Sequence, residues 1–147
     1  MNPLRRVVTG LDAQGRSCFI IDGAVAGSVI WSTAESVADN SGSADTGGGR
    51  MTFPEVGTQF IFSDFPPGMV SPTHATNTID YIVVVSGECV IVTDAGEKVL
   101  RSGDVFVDRG ISHAWRNDSA APCRIVSVLC PAHPVGAGAT MTGEVGR

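Results

Sequence analysis

The sequence predicts an all-β domain, an antiparallel sandwich or barrel. Three observations carry this. Short β-branched or aromatic runs recur at roughly 8–12-residue spacing along the chain. Turn signals such as Asp94-Ala95-Gly96 and Ser102-Gly103-Asp104 separate them. Few stretches have helical periodicity, and glycine is abundant, with 18 in 147 residues.

Taken in order, Arg5 to Thr9 and Ser17 to Asp22 form two expected strands around Asp12-Ala13-Gln14-Gly15, a hairpin-like start. Ser28 to Ser32 is a third expected strand. The segment Thr33 to Arg50 differs in composition. Its Ser41 to Gly49 portion is rich in Gly and Ser and reads as a mobile loop, a linker or a lid over a site. Gln59 to Asp64 is the next strand, and Phe65-Pro66-Pro67-Gly68 is a rigid turn because proline fixes its own dihedral. Further strands are expected at Tyr81 to Val85, Glu88 to Thr93, Glu97 to Arg101, Val105 to Val107, Ser112 to Arg116 and Cys123 to Leu129. The expectation is one domain over residues 1–147. Its core runs roughly from 58 to 130, N-terminal strands and the loop fill 1–57, and the Gly/Pro-rich tail 131–147 is partly loose.

Composition narrows the function. The formal charge is −5 and no basic cluster exceeds Arg5-Arg6, so nucleic acid is not an expected partner. No apolar run approaches the roughly 20 residues of a membrane-spanning helix, and the start lacks the apolar region of an export signal. The four cysteines, Cys18, Cys89, Cys123 and Cys130, show no C-x-x-C spacing. They read as reduced, mostly buried thiols, and the expected location is the cytoplasm.

The chemistry gathers between Gly68 and Gly87. His74 and Thr76 are two apart and share a face on an extended chain. Asp80 then opens the apolar run from Tyr81 to Val85. Burying such polar groups unpaired costs roughly 1–3 kcal/mol each, so a metal, a ligand or a hydrogen-bond network is expected there. Of the other histidines, His113 follows a Gly-containing turn at the edge of a β run, as His74 does, while His133 lies between prolines in the tail. Trp115 is two residues from His113 and shares its inward face, either as core or as a platform for a planar ligand. Arg116 and Arg124 read as surface ion-pair partners.

These residues carry a family resemblance. Gly68 to Gly87 resembles the first motif of the cupin superfamily, G-x5-H-x-H-x3-E-x6-G, with Gly68, His74 and Gly87 at the family spacing. Gly103 to Asn117 is similar to the second, G-x5-P-x-G-x2-H-x3-N, with Gly110, His113 and Asn117 in register. The chain departs from the pattern at Thr76 (for His), Asp80 (for Glu) and Asp108 (for Pro). Its phrasing resembles that of small single-domain bacterial cupins. The resemblance implies a double-stranded β-helix, a jelly-roll barrel with extra N-terminal strands. It implies that His74, Asp80 and His113 point into the barrel. There they would hold a divalent metal (Fe2+, Zn2+ or Mn2+), with Thr76 bonding a metal-bound water or Asp80. Three readings stay open. One is a metal-dependent enzyme acting on a small aromatic or carboxylate-bearing molecule. The second is metal-free acid/base catalysis by His113 and Asp80. The third is a non-catalytic ligand-binding module, with Thr76 and Trp115 as ligand contacts. The resemblance also implies a homodimer.

Overall fold

A computed structural model of the chain describes residues 1, 3–14, 16–143 and 145. Its strands in chain order are β1 (Arg5–Leu11), β2 (Ser17–Ala24), β3 (Val29–Thr33), β4 (Thr58–Phe65), β5 (Thr78–Ser86), β6 (Glu88–Thr93), β7 (Gly96–Arg101), β8 (Val105–Asp108), β9 (His113–Arg116) and β10 (Cys123–Pro131). No helix occurs among the described residues, so none is long and apolar enough to cross a membrane. The all-β expectation holds, and each expected strand matches an observed one to within three residues at either end.

Three antiparallel sheets result. β1 and β2 pair alone as a hairpin, whose turn is held by the Asp12 carboxylate accepting the N–H groups of Gln14 and Arg16. A five-stranded sheet runs β3-β4-β10-β5-β8, and a three-stranded sheet runs β7-β6-β9. Period-2 alternation builds the core between the last two sheets. Ile82 and Val84 of β5 face inward and are buried with Cys89, Ile91, Trp115, Cys123 and Ile125. A second cluster joins Val29, Ile61 and Leu129, with Met51 and Phe53 packed against it.

One glycine of each motif sits where a side chain cannot. Gly87 has φ 74°, and a Cβ there would lie 2.4 Å from the Pro122 carbonyl oxygen. Gly110 also has φ 74°, and its Cβ would lie 2.3 Å from the Thr76 carbonyl oxygen. That close approach lets the Thr76 N–H donate to the Gly110 carbonyl and stitches the two motifs together.

The Gly/Ser-rich segment read as a mobile loop is held in its later half along the β3 edge. Gly48 N–H donates to the Val29 carbonyl, Ser32 N–H to the Thr46 hydroxyl, and Ser28 N–H to the Gly49 carbonyl. The buried Arg6 guanidinium reaches the Ile30 carbonyl at 2.7 Å and pairs with Asp45. After β10 the chain turns back. Thr140 and Met141 N–H groups donate to the Ala75 carbonyl, the Thr140 hydroxyl accepts from Ala75 N–H, and Phe53 N–H donates to Gly143.

Candidate functional site

The two motif histidines meet across the seam between the sheets. His74 and His113 form an isolated antiparallel bridge, each N–H donating to the other's carbonyl at 2.9 Å. Their rings lie 4.4 Å apart between centroids. The two differ in depth. His74 is half-buried at the rim, its Nδ1 3.0 Å from the Pro72 carbonyl and its ring 6.5 Å from Phe53. His113 is only 3% exposed.

Inside, His113 meets a carboxylate. Asp108 ends β8, is 1% exposed, and places Oδ2 3.1 Å from His113 Nδ1. Its other oxygen accepts the Gly110 N–H at 2.8 Å, which closes the turn leading to His113. His113 Nδ1 is also 2.7 Å from the Ile111 carbonyl. A carbonyl only accepts, so Nδ1 carries the proton there. Asp108 Oδ2 keeps ion-pair distance to the ring without a hydrogen bond of its own. In the neutral ring, Nε2 is then the nitrogen with a free lone pair.

Asp80 stands beside this pair. It is the direct cross-strand partner of Asp108 in the β5–β8 ladder, so both carboxylates share the inward face. Burial pushes the Asp80 carboxyl up to about 6; the Thr78 hydroxyl opposes this and the Asp108 charge adds to it. Burial also lowers the His113 pKa, while Asp108 and the Ile111 carbonyl pull it back up and His74 lowers it further. Asp80 Oδ1 is buried without a hydrogen-bond partner.

The remaining candidates take different places. The Thr76 hydroxyl, 2% exposed, bonds Thr78 at 2.9 Å, so Thr78 rather than Asp80 is its partner. Trp115 belongs to the core cluster, edge-on to Phe106 at 5.9 Å and to His113 at 6.2 Å. Arg116 pairs with Glu97 and Asp118, and Arg124 with Asp64, as the sequence suggests. His133 is exposed and lines a cavity of about 450 Å³ with Phe53, Asn77 and Met141. Neither His113 nor Asp80 lines that cavity, so this recess lies away from the acid/base chemistry.

Comparison with known proteins settles the family. The Cupin_2 domain model matches residues 61–129. The chain is 32% identical to the cupin-domain-containing oxidoreductase srdD of Neurospora crassa, covering 84% of this chain and 73% of that protein. It is 30% identical to the cupin-domain-containing oxidoreductase virC of Hypocrea virens, covering 88% and 77% respectively. The chain belongs to the cupin family. Among solved structures, this cupin is similar to the Cupin_2 domain of an XRE-family transcriptional regulator from Enterobacter cloacae (TM-score 0.45, 26% identity, 53% of this chain and 83% of that one).

Of the metal-ligand set that the resemblance implies, His74 and His113 come together and Asp80 lies on the inward face opposite Asp108. His74 and His113 are adjacent, but no group of three or more His, Cys, Asp or Glu side chains among the described residues is arranged to hold a metal ion. Asp80 instead faces Asp108, and Asp108 occupies the inner flank of His113. Asp108 is the site residue that motif reading passed over. It stands at the family's proline position and registers in the sequence as a departure. The available signal was Asp108-Arg109-Gly110, in which a carboxylate two residues before a glycine caps the turn that aims His113.

Proposed function

We propose that this cupin is an enzyme acting on a small organic molecule, and that its own residues contribute proton transfer. The observation that carries the reading is the buried His113–Asp108 pair, 3.1 Å apart, with Nδ1 occupied by the Ile111 carbonyl and the Nε2 lone pair free in the neutral ring. Burial keeps His113 neutral, which suits a general base. Asp80, pushed up to about 6, holds or releases a proton close to neutral pH and suits the partner acid. Asp108 orients the ring and stabilises the imidazolium that forms when Nε2 takes a proton. The names of the relatives support an oxidoreductase type. In an oxidation, His113 Nε2 would receive the proton lost from the substrate while a separate two-electron acceptor, such as molecular oxygen, takes the electron pair. Isomerisation or dehydration uses the same two groups with no acceptor.

The test replaces His113. Purified protein and its His113→Gln variant are incubated with a mixed extract of small metabolites, and both are followed by mass spectrometry. The reading expects a substrate–product pair converted by the parent and not by the folded variant. Equal conversion by both overturns it.

A second reading, a site for Fe2+, Zn2+ or Mn2+, is favoured by one observation: Asp80 Oδ1 and Asp108 Oδ2 are buried without hydrogen bonds. Elemental analysis of protein purified without chelator decides it. Stoichiometric metal that is lost on replacing His74 and His113 supports a metal site. Traces that those replacements leave unchanged refute it. The cytoplasm is the proposed location, supported by four free thiols.

A further inference from the structure

The recess beside His133 is walled by parts of the chain outside the family core. Of its described lining residues, only Asn77 falls within residues 61–129, the span matched by the Cupin_2 model. The others come from 53–55, just before β4, and from 131–143, where β10 ends and the tail turns back. Hydrogen bonds fix both walls. The Asn77 carbonyl accepts the Ala132 N–H and its side-chain Oδ1 accepts the Ala139 N–H, each at 2.9 Å, so one residue holds both ends of the tail loop. The Phe53 N–H donates to the Gly143 carbonyl at 3.3 Å, which joins the tail to the segment before β4. The result is a preformed cavity of about 450 Å³, within the size range of small-molecule sites.

We propose that this recess is a second binding site, separate from the His113–Asp108 pair, and that its ligand is a small organic ammonium ion with an apolar body. The lining selects that class. Glu55 is the one formally charged residue among the described lining residues, and no lysine or arginine is among them. Its carboxylate accepts the N–H groups of an ammonium, whereas an anion would meet that charge with nothing to offset it. Phe53 adds an aromatic ring, whose face attracts a cation within about 6 Å of its centre. Pro54, Pro131 and Met141 offer apolar surface to the carbon skeleton. The net charge of −5 draws cations to the chain as a whole. Glu55 is exposed, so its ion pair is screened and contributes severalfold in affinity rather than orders of magnitude. Neither His113 nor Asp80 lines the recess, so the site stands whether or not those residues transfer protons.

The test is a titration of the full chain at pH 8 and low salt, followed by amide NMR, with phenethylamine as the probe. Saturable binding is expected, with shifts centred on residues 131–133 and 139–143 and none centred on 104–108. Phenethyl alcohol, of the same shape without the charge, should bind severalfold more weakly, and 3-phenylpropionate should not bind. Glu55→Gln alters an exposed side chain, so it should fold and bind the amine severalfold more weakly. Phe53→Leu keeps an apolar residue but removes the ring, and should weaken the amine more than the alcohol. No saturable binding of the amine overturns the proposal. So do equal affinities for amine and alcohol, an affinity that Glu55→Gln leaves unchanged, and shifts centred on 104–108, which would put the amine at the acid/base pair instead.

Discussion

Asp80→Asn separates the electrostatic and steric consequences of placing a carboxyl inside the barrel. The Asp80 pKa is raised from 3.8 to about 6 in the folded chain, by burial first and by the Asp108 charge opposite it. A raised carboxyl binds more protons in the folded state than in the unfolded state between those two values. Stability therefore falls as pH rises through that window and is lowest above it. A shift of about two units at about 1.4 kcal/mol each corresponds to about 3 kcal/mol lost between pH 4 and pH 7. Asparagine has no charge to desolvate, so its stability skips this loss. The amide carries its own burial cost, but that cost is independent of pH and cancels in the comparison. Urea midpoints measured from pH 4 to 8 are expected to show the variant gaining about 3 kcal/mol on the parent, or roughly 6–12 °C in Tm for a chain of this size. A gap that stays constant across the range refutes the buried, charge-opposed carboxyl.

Three other outcomes follow from the same geometry. Asp108→Asn removes the charge that holds the His113 pKa up, so nitrogen NMR should show the ring titrating at lower pH than in the parent while Nδ1 keeps its proton through the Ile111 carbonyl. Gly110→Ala should cost more than about 2 kcal/mol, because it combines φ 74° with a Cβ 2.3 Å from the Thr76 oxygen, while Gly103→Ala, with φ 90° and nothing within 4 Å, should cost only about 1–2 kcal/mol; equal urea midpoints for the two contradict the close approach. Burial pushes the Cys89 thiol up to about 12, so it should resist alkylation at pH 8 in native protein and react only on unfolding, as mass spectrometry of trapped peptides would record.

Local patterning carried the strands. Tyr81 to Val85 and Cys123 to Leu129 are β-branched runs closed by glycine or proline, and tertiary packing had only to extend them by a few residues. Alternation also placed His113 and Trp115 on one face correctly. It could not set depth: two residues along β9 separate a histidine beside a carboxylate from an indole in the packed core. Period 2 was informative at Thr76 too, since its partner Thr78 is the next residue on that face, one step short of Asp80. The interior neighbours of His113 were illegible for a different reason. Asp108 reaches His113 through a turn of its own chain, and Asp80 reaches Asp108 through a ladder between strands more than twenty residues apart in sequence. No spacing rule encodes that pairing. The outward-facing Tyr81, Val83 and Val85 were hidden for the same reason, because a run such as Tyr81-Ile82-Val83-Val84-Val85 reads as buried on both sides until the register shows which face lacks a cover.

The reciprocal bonds between His74 and His113 have a consequence for motion. Each histidine's amide hydrogen is held by the other's carbonyl, so neither can be released without breaking the bridge from both ends. Both amides should then exchange with solvent at one common rate, set by a single opening event of the seam. The two histidines come from segments on either side of four strands, yet they would open and close as one latch. An entering molecule would find both rings in place or neither.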